Sequence, residues 1–222
     1  MTDMPSASRS AYNFELSGGT LCLDFANTVD NRPDASRRLD HLTGYSALLA
    51  FFEQSGALNA KQASDLGERA GRAPRSAGKV FQAALALRET IYRVFSAVAA
   101  ERAPVERDME MLNAFLSEAM AHRRVVVKRP GFAWNWAWSE DEALGRILWP
   151  PAVSAAELLA ADRLESVREC AAETCGWLFL DHSRNQSRRW CDMKVCGNRA
   201  KARRHYQRRR APRVAQTLPL SS

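Results

Sequence analysis

Four of the chain's five cysteines fall in the pattern C-x4-C-x15-C-x4-C, at Cys170, Cys175, Cys191 and Cys196. No other feature constrains the C-terminal part so tightly. Structural zinc takes four ligands in a tetrahedron, commonly as two close pairs joined by a linker of about this length. Thiolates without a carboxylate among them select zinc over magnesium or calcium, with an iron–sulfur centre as the alternative. Four buried thiols acting as small hydrophobes do not suit this context. The stretch from Arg184 to Cys196 holds too few apolar residues to bury anything, and a module of some forty residues needs a staple. A complete thiolate set makes the expected cofactor one structural zinc ion, with no open position for catalysis. His182 and His205 are then ordinary polar positions.

Charge divides the chain at the same place. The net charge is +7, but residues 166–213 carry thirteen Lys/Arg against four Asp/Glu, a local +9, which leaves the first 165 residues at −2, 19 against 21. Such asymmetry points to a polyanionic partner of the basic end. After Cys196 the sequence reads Gly197-Asn198-Arg199-Ala200-Lys201-Ala202-Arg203-Arg204-His205-Tyr206-Gln207-Arg208-Arg209-Arg210, followed by Pro212. Ala, Lys, Arg and Gln favour a helix, with Asn198 as its expected N-cap. A helix with cations all round its cylinder has no core to hold it and is expected to be stabilised by an anionic partner. Inside the zinc linker, Arg184, Asn185, Gln186, Arg188, Arg189 and Trp190 form a second polar cluster. Arg, Asn and Gln are the side chains that pair bidentately with guanine and adenine edges. The expected nucleic-acid-binding set is therefore Arg184, Asn185, Arg188, Arg189, Lys194, Asn198, Arg199, Lys201, Arg203, Arg204, Arg208, Arg209 and Arg210.

The first 165 residues read as mostly helical. Helical spacing predicts helices over Thr20 to Val29, Thr43 to Ser55, Asn59 to Gly71 with a capping box from Asn59 and Gln62, Ser76 to Glu101, and Val105 to His122. The period then switches to two. Val125 to Lys128, an Arg129-Pro130-Gly131 turn, and Phe132, Trp134, Trp136 and Trp138 predict a β-hairpin. Its indoles are read as covering the helical core rather than stacking bases. Ser139 with Glu142 is expected to open a short helix that Pro150 and Pro151 interrupt. No apolar run approaches a membrane span, and the polar start has no signal-peptide core, which implies a cytoplasmic protein.

The expected fold class is thus mainly α: an N-terminal helical domain with a small β-hairpin, and a treble-clef or ribbon-like four-cysteine zinc module ending in a basic helix. The expected divisions are a disordered 1–12, a helical domain over 13–163, the zinc module over 164–211 and a flexible tail over 212–222. Within the helical domain Asp24, Asn27 and Thr28 fall near one another and are the candidate ligand-binding residues. With His41 they would also be the polar candidates for an enzyme, but no paired nucleophile and base, glycine-rich phosphate loop or open metal site accompanies them.

Cys196-Gly197-Asn198-Arg199 resembles the name-giving motif of the CGNR zinc finger, and Trp177-Leu178-Phe179-Leu180-Asp181, Ser183-Arg184-Asn185 and Trp190-Cys191 resemble its interior. Leu23-Asp24-Phe25-Ala26-Asn27-Thr28 resembles the ABATE domain that commonly precedes that finger. The resemblance spans almost the whole chain. It implies a bacterial, stress-related transcription regulator with zinc on the four motif cysteines and DNA as target, located at the nucleoid. The residues themselves leave an RNA-binding or ribosome-associated factor open as a second reading, and allow for a small-molecule effector and a homodimer.

Overall fold

The computed structural model describes residues 12–137 and 144–210; within the last helix the side chains of Arg204 and residues 207–210 fall outside the description. The expectations for residues 1–11, for Trp138, for the helix start at Ser139 and for the tail beyond residue 211 lie outside it. The described elements run α1 (Leu21–Ala26), β1 (Val29–Asp30), β2 (Leu39–Asp40), α2 (Tyr45–Gln54), α3 (Ala60–Arg72), α4 (Pro74–Ala99), α5 (Glu106–Ala121), β3 (Arg123–Lys128), β4 (Gly131–Trp136), α6 (Trp149–Leu159), β5 (Val167–Glu169), β6 (Leu178–Leu180) and α7 (Asn198–Arg210). The mainly α reading holds. The strands form three separate antiparallel pairs, β1–β2, β3–β4 and β5–β6.

The long helix α4 is the axis of the core. Leu87, Ile91, Val94 and Phe95 on its apolar stripe are inaccessible and pack in one cluster with Leu23 and Phe25 of α1, Leu48, Phe51 and Phe52 of α2, Leu66 of α3 and Leu112 of α5. Spacing of three and four residues puts these side chains on one face, and burial of each Leu, Ile or Phe contributes about 1.5–3 kcal/mol. The Asn59–Gln62 capping box forms as expected, with Gln62 N donating to Asn59 Oδ1 at 2.9 Å and Asn59 N donating to Gln62 Oε1 at 2.9 Å.

Three local expectations are corrected. Helix α1 ends at Ala26 rather than Val29, because Thr28 turns its hydroxyl onto the Phe25 carbonyl at 2.9 Å and Val29 leaves to pair with Asp40. Pro150 and Pro151 do not interrupt a helix but occupy the first turn of α6, where their missing N–H groups are no loss. The hairpin forms in the expected place, pairing Val125 with Trp134 and Val127 with Phe132, but most of it does not cover the core. Trp136 packs beside Trp149, whereas Trp134 is 59% and Phe132 77% exposed.

An ion network of two buried arginines and two half-buried carboxylates binds the loop after α1 to α4. Arg88 makes a two-pronged contact with Asp40 at 2.7 and 2.7 Å and reaches Glu89 at 3.0 Å, while Arg32 pairs with Glu89 at 2.8 Å and lies over the Tyr92 ring. These guanidiniums hold the Asp40 and Glu89 carboxyls below their usual range against the upward pull of burial. Among the described residues no helix is long and apolar enough to cross a membrane.

Candidate metal centre and nucleic-acid interface

The zinc module is built from a hairpin and the start of a helix. Strands β5 and β6 pair Val167 with Leu180 and Glu169 with Leu178, and the chain between them bends at Cys170 to Cys175. The bend closes through Cys175 N to the Ala172 carbonyl at 3.0 Å and Cys170 N to the Trp177 carbonyl at 2.8 Å. Gly176 follows with φ +71°, and a Cβ there would meet Pro33 at 3.1 Å and Arg32 at 3.2 Å, so any other residue would be strained and tightly packed. The second pair sits where α7 begins. Asp192 accepts from Val195 N at 2.8 Å and caps a wide turn over Met193–Gly197, which runs directly into α7. Asn198 is therefore not the N-cap; its side chain donates to the Lys194 carbonyl at 2.9 Å from inside the helical path. The Met193 side chain lies against Gly197, its sulfur 2.9 Å from where a Cβ would stand, so a larger residue there would have to displace a flexible, half-exposed methionine.

The four Sγ atoms all lie within 4.8 Å of one another. Cys191 is 3.6 Å from Cys175 and 3.7 Å from Cys196. Zinc–sulfur bonds of about 2.3 Å in a tetrahedron require sulfur–sulfur edges of roughly 3.8 Å, so the residues present fit the ion. Without a cation the four cannot all ionise: hydrogen bonding, first from Cys175, pushes Cys170 down, while Cys170 first of all pushes Cys191 up. A dication removes that conflict by taking all four as thiolates. The donor set and its burial fit one structural zinc.

Strand β6 is shared between two cores. Its alternation turns Phe179, with Trp177 just before it, toward the cysteines, and Leu178 and Leu180 into the main helical core beside Val167. The polar residues singled out near the N-terminus lock this arrangement. Asn27 Nδ2 donates to the Leu178 carbonyl at 2.8 Å and Asn27 Oδ1 accepts from Leu178 N at 2.8 Å, as a strand partner would. Asp24 accepts from Gly18 N at 2.7 Å, and the Gly18 carbonyl accepts from Leu180 N at 3.0 Å. Thr28 meets the Phe25 carbonyl and Arg88. Burial pushes the Asp24 carboxyl up to about 6. All three side chains are thus buried and engaged within the chain. Trp177 adds an indole N–H to the Val29 carbonyl at 3.0 Å. His41 pairs with Asp30 at 2.9 Å and stacks on Tyr12.

The expected nucleic-acid residues separate into three groups. Arg184, Asn185, Arg189, Lys194, Asn198, Arg199, Lys201 and Arg203 are exposed. Arg188 differs: its Nε donates to the Trp190 carbonyl at 2.8 Å, a terminal nitrogen meets the Cys191 carbonyl, and its guanidinium lies over Phe179. That fork is committed inside the module, which removes Arg188 from the base-reading candidates. For Arg204, Arg208, Arg209 and Arg210 the backbone is helical and the side chains lie outside the description. Two positions escaped sequence reasoning. Asp181 accepts from Ser183 N and Arg188 N, both at 2.8 Å, and folds the linker; the Asp-x-Ser turn signal was available. Glu173 pairs with Arg203 across the module, a contact between distant positions that no local pattern announces.

A zinc-stapled hairpin and basic helix, mounted on a helical domain, define a zinc-finger protein with an N-terminal helical partner domain. Comparison with family models agrees. Residues 19–162 match the ABATE family, described as "putative stress-induced transcription regulator", and residues 166–209 match the CGNR zinc finger. The chain belongs to the ABATE family and carries a CGNR zinc finger behind that domain. A search among curated proteins finds no match.

Proposed function

We propose that this chain is a DNA-binding transcription regulator, acting in the cytoplasm at the nucleoid, in which the zinc site presents α7 to duplex DNA. The observation that carries this reading is the condition of α7. It leaves the second cysteine pair without an apolar face of its own, and Arg199, Lys201 and Arg203 stand exposed on its first two turns. Phosphate contacts supply most of the affinity, with Arg189 and Asn185 in the linker as the candidates for base edges. The family description supports regulation rather than catalysis as the role. The effector belongs to the same reading: a cleft of about 160 Å³ that adjoins the zinc ligands Cys175, Cys191 and Cys196, and is lined outside them by Asp30, Asn31, Trp177, Asp192 and Arg199, is where a small ligand would touch helical domain and finger together.

Titration of labelled duplex DNA with zinc-loaded protein at several salt concentrations tests the proposal. Each phosphate contact contributes about −0.9 to the slope of log affinity against log salt, so Arg199→Ala with Lys201→Ala is expected to flatten it by roughly 1.8 units. Structured RNA at matched salt is the competitor. An unchanged slope, or tighter binding to RNA than to duplex DNA, refutes the assignment.

A further inference from the structure

The β3–β4 hairpin presents an apolar ladder to solvent. On one face Val125 opposes Trp134 and Val127 opposes Phe132, and these four are 60%, 59%, 76% and 77% exposed. Residues 123–137 carry Arg123, Arg124, Lys128 and Arg129 and no acid; the nearest acids in sequence are Glu118 and Glu140, outside that stretch. Arg123 is held at the base of the ribbon, paired with Glu157 at 3.1 Å and lying over the Trp134 ring. Arg124 turns back onto the carbonyls of Ala121 and Arg123. Lys128 and Arg129, beside the turn, are exposed, and among the described residues neither has a carboxylate within ion-pair distance.

We infer that this hairpin is a second contact with duplex DNA: the ribbon enters a groove, Phe132 and Trp134 press on base steps, and Lys128 and Arg129 hold the flanking phosphates. The inference rests on the reading of the chain as a DNA-binding protein. A two-stranded ribbon has the width of a groove, and apolar side chains inserted at a base step are a known way of gripping bent duplex. Charge decides the occupant. An apolar partner surface would account for Val125, Val127, Phe132 and Trp134, but not for an acid-free ribbon whose outermost charges are two cations.

Full-length, zinc-loaded protein and a mixed-sequence duplex bearing 2-aminopurine decide the matter, because the probe brightens when a base step opens. Wild type is expected to brighten it. Phe132→Ala with Trp134→Ala is expected to abolish that signal and weaken binding roughly 5- to 100-fold, with the salt slope unchanged. Lys128→Gln with Arg129→Gln is expected to flatten the slope by roughly 1.8 units. Phe132→Leu, which keeps the wedge, should retain most of the affinity. These positions are exposed, so zinc content and thermal midpoint should match wild type and serve as the folding check. If the hairpin variants bind as wild type while Arg199→Ala with Lys201→Ala does not, the hairpin inference fails and the helix reading stands. If the hairpin variants weaken and the helix variants do not, the reverse holds. Absence of duplex binding by wild type overturns both. A wild-type dimer that Phe132→Ala with Trp134→Ala turns into a monomer, with DNA binding intact, makes the ladder a subunit interface and overturns the inference.

Discussion

Strand β6 and helix α7 belong to one zinc site and are held in opposite ways. β6 buries both faces, Leu178 and Leu180 in the helical core and Phe179 against the cysteines, and its backbone is paired by Glu169, Asn27 and Gly18. α7 is tied back by the turn that begins at Asp192 and by the Arg203–Glu173 ion pair. One element is stabilised by burial and is expected to stay in place without metal; the other has no apolar face and is expected to depend on the metal for its position. The difference assigns roles: the first cysteine pair is mounted on the rigid domain, and the second carries an element left open to a partner.

The largest effect should come from removing the metal. Chelation, or Cys191→Ser, forfeits a binding free energy of about 10–16 kcal/mol that in structural zinc sites is also folding free energy. The linker from residue 182 to Cys196 and the start of α7 are expected to become protease-sensitive, while helices α1 to α6 keep their circular dichroism. Elemental analysis should fall from one zinc per chain. Uniform melting of the whole chain would show that both halves of the site depend on metal and erase the contrast.

The contrast also explains what could be read from sequence. The four ligands, the capping box of α3 and the place of the hairpin rest on local spacing, and local spacing is legible, although the hairpin turn is one residue tighter than Arg129-Pro130-Gly131, with Lys128 opposite Gly131. The coupling between the two parts is not local. Asn27 meets Leu178 across 151 positions, and nothing in either segment announces the other. Sequence therefore suggests that a chain ending near Arg163 keeps its fold. The structure revises this, because such a chain loses Val167, Leu178 and Leu180 from the core and leaves the buried Asn27 amide without its partner, at about 1–3 kcal/mol for each unpaired group. The indoles fail for a related reason: period-two spacing tells which residues share a face, not whether that face meets protein or solvent.

A smaller effect tests the clamp on β6. Asp24 holds Gly18 N, and Gly18 holds Leu180 N, so the carboxyl supports the strand while remaining ionisable in a buried place. Its folded value of about 6 lies above the unfolded one. The contribution is therefore fully present below about pH 4 and is lost as pH rises through about 6, a change on the order of 2–3 kcal/mol. Asp24→Asn keeps an acceptor for Gly18 and cannot ionise. Urea unfolding should find the two proteins nearly alike at about pH 3.5 and the Asn variant more stable at about pH 7.5. Parallel stabilities across that range would mean the site ionises without penalty.

The smallest expected change in stability lies at the other end of the comparison, in the ion pair between Arg203 and Glu173. Both side chains are about half exposed or more, 49% and 67%, and exposed pairs contribute about 0–1 kcal/mol. Glu173→Gln should leave the melting midpoint and zinc content unchanged within error. Its effect on binding has the opposite sign from that of every arginine deletion. Glu173 occupies a guanidinium that a phosphate would otherwise take, so neutralising it releases Arg203 and removes a repulsive charge from the binding face. Affinity for duplex DNA is expected to rise about two- to fivefold at low salt, with the gain shrinking as salt screens the added contact. Weaker binding by Glu173→Gln would mean that the pair positions α7 for its target, and the helix would then be held by the module rather than left open by it.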